Sequence, residues 1–162
     1  MLTFILSRGV PTPKYSTNGI FEFDQARALK QAGCNVVFLA LDLRSVRRTR
    51  PWGFQAFEKD GGPVRVLSGP LVNIPKQIFY PLGQWAFGLL YRRAVREFGR
   101  PDVLHAHFTD YGYLACPLAR REQLPLVLTE HSSLDTQDTL PKAIEQAAKT
   151  AFTQAATLIA VS

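Results

Sequence analysis

The stretch Leu2–Leu41, LTFILSRGVPTPKYSTNGIFEFDQARALKQAGCNVVFLAL, decides the fold. Its two ends, Leu2–Leu6 (LTFIL) and Val36–Leu41 (VVFLAL), are short and almost wholly apolar, as strands buried on both faces are. Between them a loop rich in Pro, Ser, Thr and Gly runs from Arg8 to Gly19. From Ile20 to Ala32, Phe23, Ala26, Leu29 and Ala32 keep helical spacing, and Gly33 is placed to end that helix. Strand, helix and strand in about forty residues is a βαβ unit, which builds a parallel sheet.

Working outward, the middle of the chain is less regular. Pro51–Gly62 reads as irregular, Val64–Leu67 as a third strand, and Pro70–Pro81 as a proline-interrupted loop. Beyond Pro81, Leu82, Trp85, Ala86, Leu89, Leu90 and Ala94 hold a helical period as far as Phe98, with Gly99 as the stop. Then the alternation returns: strand Asp102–Ala106, helix Tyr111–Arg121, strand Leu124–Thr129, helix Lys142–Gln154 and strand Thr157–Val161. The expectation is an α/β fold, a doubly wound, mostly parallel, Rossmann-like sheet of about six strands over residues 1–162. Ser162 follows a strand directly, where such a domain ordinarily enters another loop and helix, so the chain reads as a truncated domain.

Composition narrows the class. Of 162 residues, 46% are hydrophobic and 20% charged, the balance of a globular chain. No apolar run approaches the roughly eighteen residues of a membrane-spanning helix, and no basic start with an apolar core marks a signal peptide. Cys34 and Cys116 lie far apart in no CxxC pattern, which suits a reducing cytoplasm. The net charge of +6 is concentrated: Arg44–Arg100 holds eleven Lys or Arg against three Asp or Glu. A basic middle, densest at Arg44, Arg47, Arg48 and Arg50, points to an anionic partner or to a merely solvated face.

In open parallel sheets ligands sit outside the carboxyl ends of the strands. The first strand is followed by Ser7-Arg8-Gly9 and then Ser16-Thr17-Asn18-Gly19, with no GxGxxG to indicate a dinucleotide site. Asn18-Gly19 at a helix entrance lets backbone N–H groups approach a phosphate, or is an ordinary Asn-capped turn. The fourth strand runs into His105-Ala106-His107-Phe108-Thr109-Asp110, and alternation sends both histidines to one face. HxH is a familiar metal-ligand spacing, but no HxHxDH follows; polar pocket-lining or hydrogen-bonded histidines fit better than a metal site. The fifth strand ends in Thr129-Glu130-His131-Ser132-Ser133, bringing a third histidine to the same edge. No GxSxG elbow is present, and neither cysteine lies at a strand's carboxyl end.

Pro101–His107, Tyr111-Gly112, Leu124–Ser132 and Ala156–Ser162, in that order and spacing, resemble the N-terminal half of a family-4 glycosyltransferase. The resemblance implies a retaining enzyme of GT-B architecture, in which two Rossmann-like domains face across a cleft. The N-terminal half binds the acceptor; the C-terminal half, expected to be absent here, binds the nucleotide sugar, a co-substrate, with no metal or other cofactor. It implies that His131 lines the reaction centre and contacts the transferred sugar, with Glu130 and Ser132 beside it. His107 occupies a second cleft-facing position. Asn18-Gly19 stands where the family carries a Gly-Gly loop near the donor diphosphate. Glu122 and Glu130 share the spacing of the family's Glu-x7-Glu motif, but that motif belongs to the donor domain and the match reads as coincidence.

On this reading the acceptor is a glycan or lipid-linked molecule of cell-surface polysaccharide or glycolipid synthesis, the enzyme is cytoplasmic, and the isolated half is inactive. The basic middle acquires an anionic membrane surface as a partner. Phe87 and Tyr91 are expected to face outward beside Arg92, Arg93 and Arg96, while Leu82, Trp85, Ala86 and Leu89 face the sheet. Two competing readings are a metal-dependent hydrolase using His105, His107 and His131, and a basic module binding nucleic acid through Arg44–Arg50. No nucleic-acid motif accompanies the latter, and no nucleic-acid partner is expected.

Overall fold

The computed structural model describes residues 1–44, 51–59, 62–71, 74–131 and 141–161. The elements are β1 (Leu2–Ser7), α1 (Ile20–Gln31), β2 (Asn35–Arg44), β3 (Gly53–Lys59), β4 (Gly62–Pro70), α2 (Lys76–Phe98), β5 (Val103–His107), α3 (Thr109–Arg121), β6 (Leu126–Glu130), α4 (Lys142–Gln154) and β7 (Thr157–Ala160). They build a seven-stranded sheet in the order β3-β4-β2-β1-β5-β6-β7. Among the described residues, the β3–β4 hairpin is the only antiparallel pairing in this sheet. The mostly parallel, doubly wound α/β architecture expected from the sequence is therefore the one observed, with one more strand.

Strand alternation sorts the core into two layers. Phe4, Leu6, Leu39, Leu104, Ala106 and Leu128 face α2, α3 and α4. Ile5, Phe38, Ala40, Val64 and Val66 face α1, where Phe23 stacks on Phe38 with ring centroids 4.0 Å apart. Leu104 and Ala106 belong to the first layer, so His105 and His107 point to the face that α1 covers.

Three expectations are corrected. Pro51–Gly62 is not irregular, because β3 pairs along β4 from Gly53↔Ser68 to Lys59↔Gly62. As an edge strand it leaves most of its residues exposed, so it carries no buried alternation to read. Helix α2 starts at Lys76, not after Pro81, and Pro81 lies inside it. Its first turn is held by Tyr80, which donates to Asp110 Oδ1 (2.7 Å) and packs edge-on against Tyr113 (4.7 Å), offsetting the N–H that proline lacks.

The third correction concerns the face of α2. Phe87 and Tyr91 are buried at 0% and 3% exposure, whereas Trp85 is 62% and Leu82 38% exposed. The buried stripe runs Gly83, Ala86, Phe87, Leu90, Tyr91, Ala94, about one residue's rotation from the one expected. Gly83 sets that rotation, since a Cβ there would stand 2.8 Å from Leu114 Cδ2 and the bare backbone lets α2 settle onto α3.

Candidate functional site at the switch point

The strand order reverses at β1, whose neighbours are β2 on one side and β5 on the other. Outside the carboxyl ends of β1 and β5 the helices leave to opposite faces, and this is where doubly wound sheets form their crevice. The residues that enter it are Arg8 and Gly9 after β1, and Phe108 and Thr109 after β5.

Histidine chemistry dominates one wall. His105 Nε2 lies 2.8 Å from Thr129 Oγ1, and His107 Nδ1 lies 2.9 Å from His131 Nε2. The rings of His107 and His131 are inclined by only 12° at 5.2 Å, the separation of two imidazoles meeting edge to edge along a hydrogen bond. His105 and His107 are buried, and desolvation, reinforced by the neighbouring histidines, pushes their pKa values down to about 4 and about 3. Both are therefore neutral at physiological pH. His107 Nε2 is buried without a partner. A buried orphan N–H is rarer than an orphan lone pair, which places the His107 proton on Nδ1, donating to His131. His131 Nε2 then accepts, which leaves Nδ1 as the ring atom with which His131 can donate.

Rings close around His131. Phe21, in the first turn of α1, lies nearly parallel to it at 5.3 Å, and Phe108 sits at 5.0 Å. Phe108 holds an unusual backbone, φ 67° and ψ 144°, a region that a residue with a Cβ enters only under strain. The exposed Arg8 guanidinium lies over the Phe108 ring, 4.3 Å from its centroid.

Glu130 is occupied by the protein itself. Its carboxylate accepts from the Thr109 N–H (2.7 Å) and hydroxyl at the start of α3, and from the His131 N–H (3.0 Å). It thereby satisfies orphan donors of α3 and complements the positive end of that helix. Asn18 is also engaged: its amide donates to Val10 O (3.2 Å) and accepts from Arg44, which in turn donates to Arg8 O (2.9 Å). Gly19 adopts φ 76° as the N-cap of α1, and a Cβ there would lie 2.4 Å from Gly9 O. Ser7 Oγ, 2.9 Å from both Gly9 O and Glu22 Oε1, ties this loop to the helix.

The structure thus brings His105, His107, Glu130 and His131 into one cluster, with the Asn18-Gly19 loop joining it through Phe21. Ser132 lies outside the described residues, as do Arg47, Arg48 and Arg50. A cavity of about 630 Å³ beside the cluster is lined by Arg8, Thr17, Asn18, Arg44, Asp110 and Tyr111, among others. Sequence reasoning does not single out Arg8, Phe21, Phe108 or Asp110; the usable signal for Arg8 and Phe108 is their place directly after strand ends. His105 Nε2 bonds to Thr129 and His107 Nδ1 to His131 Nε2, and among the described residues no three His, Cys, Asp or Glu converge as metal ligands. Nor does any helix among the described residues have the length and apolarity to cross a membrane.

Comparison with known proteins follows the same direction. The sequence model of Glycosyltransferase Family 4 matches residues 23–162. Among solved structures, the chain is similar to sucrose-phosphate synthase from Thermosynechococcus elongatus (17% identity, TM-score 0.69, all of this chain and 42% of that one). It is also similar to α,α-trehalose 6-phosphate synthase from Burkholderia multivorans (12% identity, TM-score 0.53, covering 92% and 36%). These likenesses show the fold, that of a GT-B N-terminal half, and the chain spans about two-fifths of their length. No curated protein matches it.

Proposed function

Because the chain belongs to glycosyltransferase family 4, we propose that it is the acceptor-binding half of a retaining hexosyltransferase. It would move a sugar from a nucleotide-sugar donor to a glycan or lipid-linked acceptor in cell-surface polysaccharide or glycolipid synthesis, on the cytoplasmic side of a membrane. The observation that carries the proposal is the hydrogen-bonded His107–His131 pair at the switch point.

In this reading His131 donates from Nδ1 to a hydroxyl of the transferred sugar. His107 is a positioning residue: buried and neutral, it fixes the rotation and tautomer of His131 through one hydrogen bond. Phe21 and Phe108 keep water off the imidazole and give the sugar an apolar wall. Gly19 holds the tight turn, closed on Gly9, at the start of α1 where the donor diphosphate approaches, and Arg8 is an exposed cation on the Phe108 ring. Glu130 acts through Thr109 and His131, holding both strand exits in place. Ser132, adjacent to His131, completes the proposed substrate contacts. The nucleotide is gripped mainly by a second domain, so the 162-residue chain alone shows no turnover, because little in it offsets charge on the departing diphosphate. No metal and no cofactor beyond the nucleotide sugar are invoked.

The test is sugar transfer by the full polypeptide from a panel of nucleotide sugars to a membrane lipid and glycan extract. His131→Ala is expected to lower kcat by about 10²–10³-fold, the range seen when one donor to a developing charge is removed. The product is expected to keep the donor's anomeric configuration by NMR. Transfer indifferent to His131, or an inverted product, would overturn the proposal.

A further inference from the structure

A second cavity adjoins the first and is opposite in character. About 390 Å³ in volume, it runs between α2 and the β3–β4 hairpin and is lined by Leu43, Phe54, Leu67, Leu82, Trp85 and Leu89, among others. Its size lies within the range of small-molecule sites. The walls are exposed apolar side chains: Trp85, Phe54 and Leu82 are 62%, 43% and 38% accessible. The groove lies at the same carboxyl edge of the sheet as the polar cavity, and the two share Leu43 and Leu71. Arg8, Arg44 and Asp110 line the polar side. On the apolar side the Arg93 guanidinium covers Phe54 at 4.9 Å, and Arg92 and Arg96 lie exposed on the same helix.

A ligand that fills both cavities carries a polar, anionic head and an apolar chain. We infer that the groove binds the hydrocarbon chain of an amphiphilic acceptor, one molecule per protein, with its phosphate-bearing head placed toward Arg8. This rests on the transferase reading for the word acceptor, and it narrows that reading from any glycan to a lipid-linked one. The anionic head is favoured by Arg8, an exposed cation that lines the polar cavity. The apolar lining comes from two elements, α2 and the β3–β4 hairpin, rather than from one exposed face, which favours a bound chain over adsorption to a bilayer.

The only two tryptophans of the chain, Trp52 and Trp85, make the test direct. In Trp52→Phe, Trp85 is the sole reporter, and 12-bromododecyl phosphate held below its micelle concentration is the probe. Saturable one-to-one quenching of Trp85 is expected. Affinity should rise about fourfold for each methylene added along an alkyl phosphate series, up to the groove's length. Leu82→Asp, at an exposed position that folding tolerates, should weaken binding at least tenfold, with unfolding by urea unchanged. The neutral dodecyl glucoside should bind less tightly than the phosphate. No quenching, an affinity indifferent to chain length, or quenching only when vesicles are present would each overturn the inference, the last by showing surface adsorption instead. The measurement needs no turnover. Failed transfer with intact chain binding would therefore sink the transferase reading alone, and transfer to chainless acceptors without chain binding would sink this inference alone.

Discussion

Phe108 offers a test of whether the crevice stores strain. Its φ of 67° with ψ of 144° belongs to a region occupied essentially by glycine, and a side chain there costs about 1–3 kcal/mol. Two variants separate the backbone from the ring. Phe108→Ala and Phe108→Gly both remove the ring from His131 and Arg8, but only alanine keeps a Cβ. Glycine carries an added unfolded-state entropy of about 0.4–1 kcal/mol. The difference leaves the glycine variant more stable than the alanine variant by roughly 1 kcal/mol, the reverse of the order at a helix or strand interior. With a urea slope of about 2 kcal/mol/M for a domain of this size, the unfolding midpoint of the glycine variant should lie about 0.5 M higher. Equilibrium denaturation followed by far-UV circular dichroism reads this directly. An alanine variant equal to or more stable than the glycine variant would refute the argument and mean the φ is relaxed. In the transfer assay both variants should lose activity, so that glycine separates stability from function.

Other expectations follow from the same geometry. His105 and His107, held near pKa 4 and 3, stay neutral in the fold while the unfolded chain protonates below about 6.5, so stability should fall as pH drops through that window. The slope is roughly 1 kcal/mol per histidine per pH unit; urea midpoints at pH 7, 5.5 and 4.5 measure it, and His107→Phe should flatten it. Gly19→Ala should destabilise by about 2–3 kcal/mol, because the new Cβ adds left-handed strain and meets Gly9 O; unchanged thermal unfolding would disprove the contact. Phe87→Ala should cost about 3–5 kcal/mol in urea unfolding, whereas Trp85→Ala should stay within about 0.5 kcal/mol; equal effects would mean that α2 faces the other way.

What the sequence announced, and what it hid, divides along physical lines. β1, β2 and α1 were legible because burial on both faces, or on one stripe, leaves a pattern in LTFIL, VVFLAL and the Phe23–Leu29 spacing. β3 was not, since an edge strand that exposes Phe54 and Phe57 has no period to find. The start of α2 was hidden by Pro81, whose local penalty is offset by Tyr80 and Asp110, thirty residues apart in sequence. Its facing was misread because Gly83, which contributes nothing to hydrophobic periodicity, is the residue that makes contact. Within the site, alternation correctly put His105 and His107 on one face, and the third histidine on the same edge. Their bonding was beyond reach, because it depends on the parallel register His107↔Thr129 between β5 and β6. The engagement of Glu130 with Thr109, across 21 positions, is likewise a product of topology alone.

Two helices begin at the crevice, and each already has an anion of its own. Glu22 lies buried in the first turn of α1, and Glu130 reaches the first turn of α3. An incoming diphosphate therefore meets helix ends whose positive character is largely compensated, unlike the open N-terminus of a dinucleotide-binding turn. The Gly19 turn, closed on Gly9, adds little attraction, and among the described residues Arg8 and Arg44 are the cations that line the adjoining cavity. In the proposed transferase, a crevice built in this way would select by shape around the sugar and leave the holding of charge to whatever faces it.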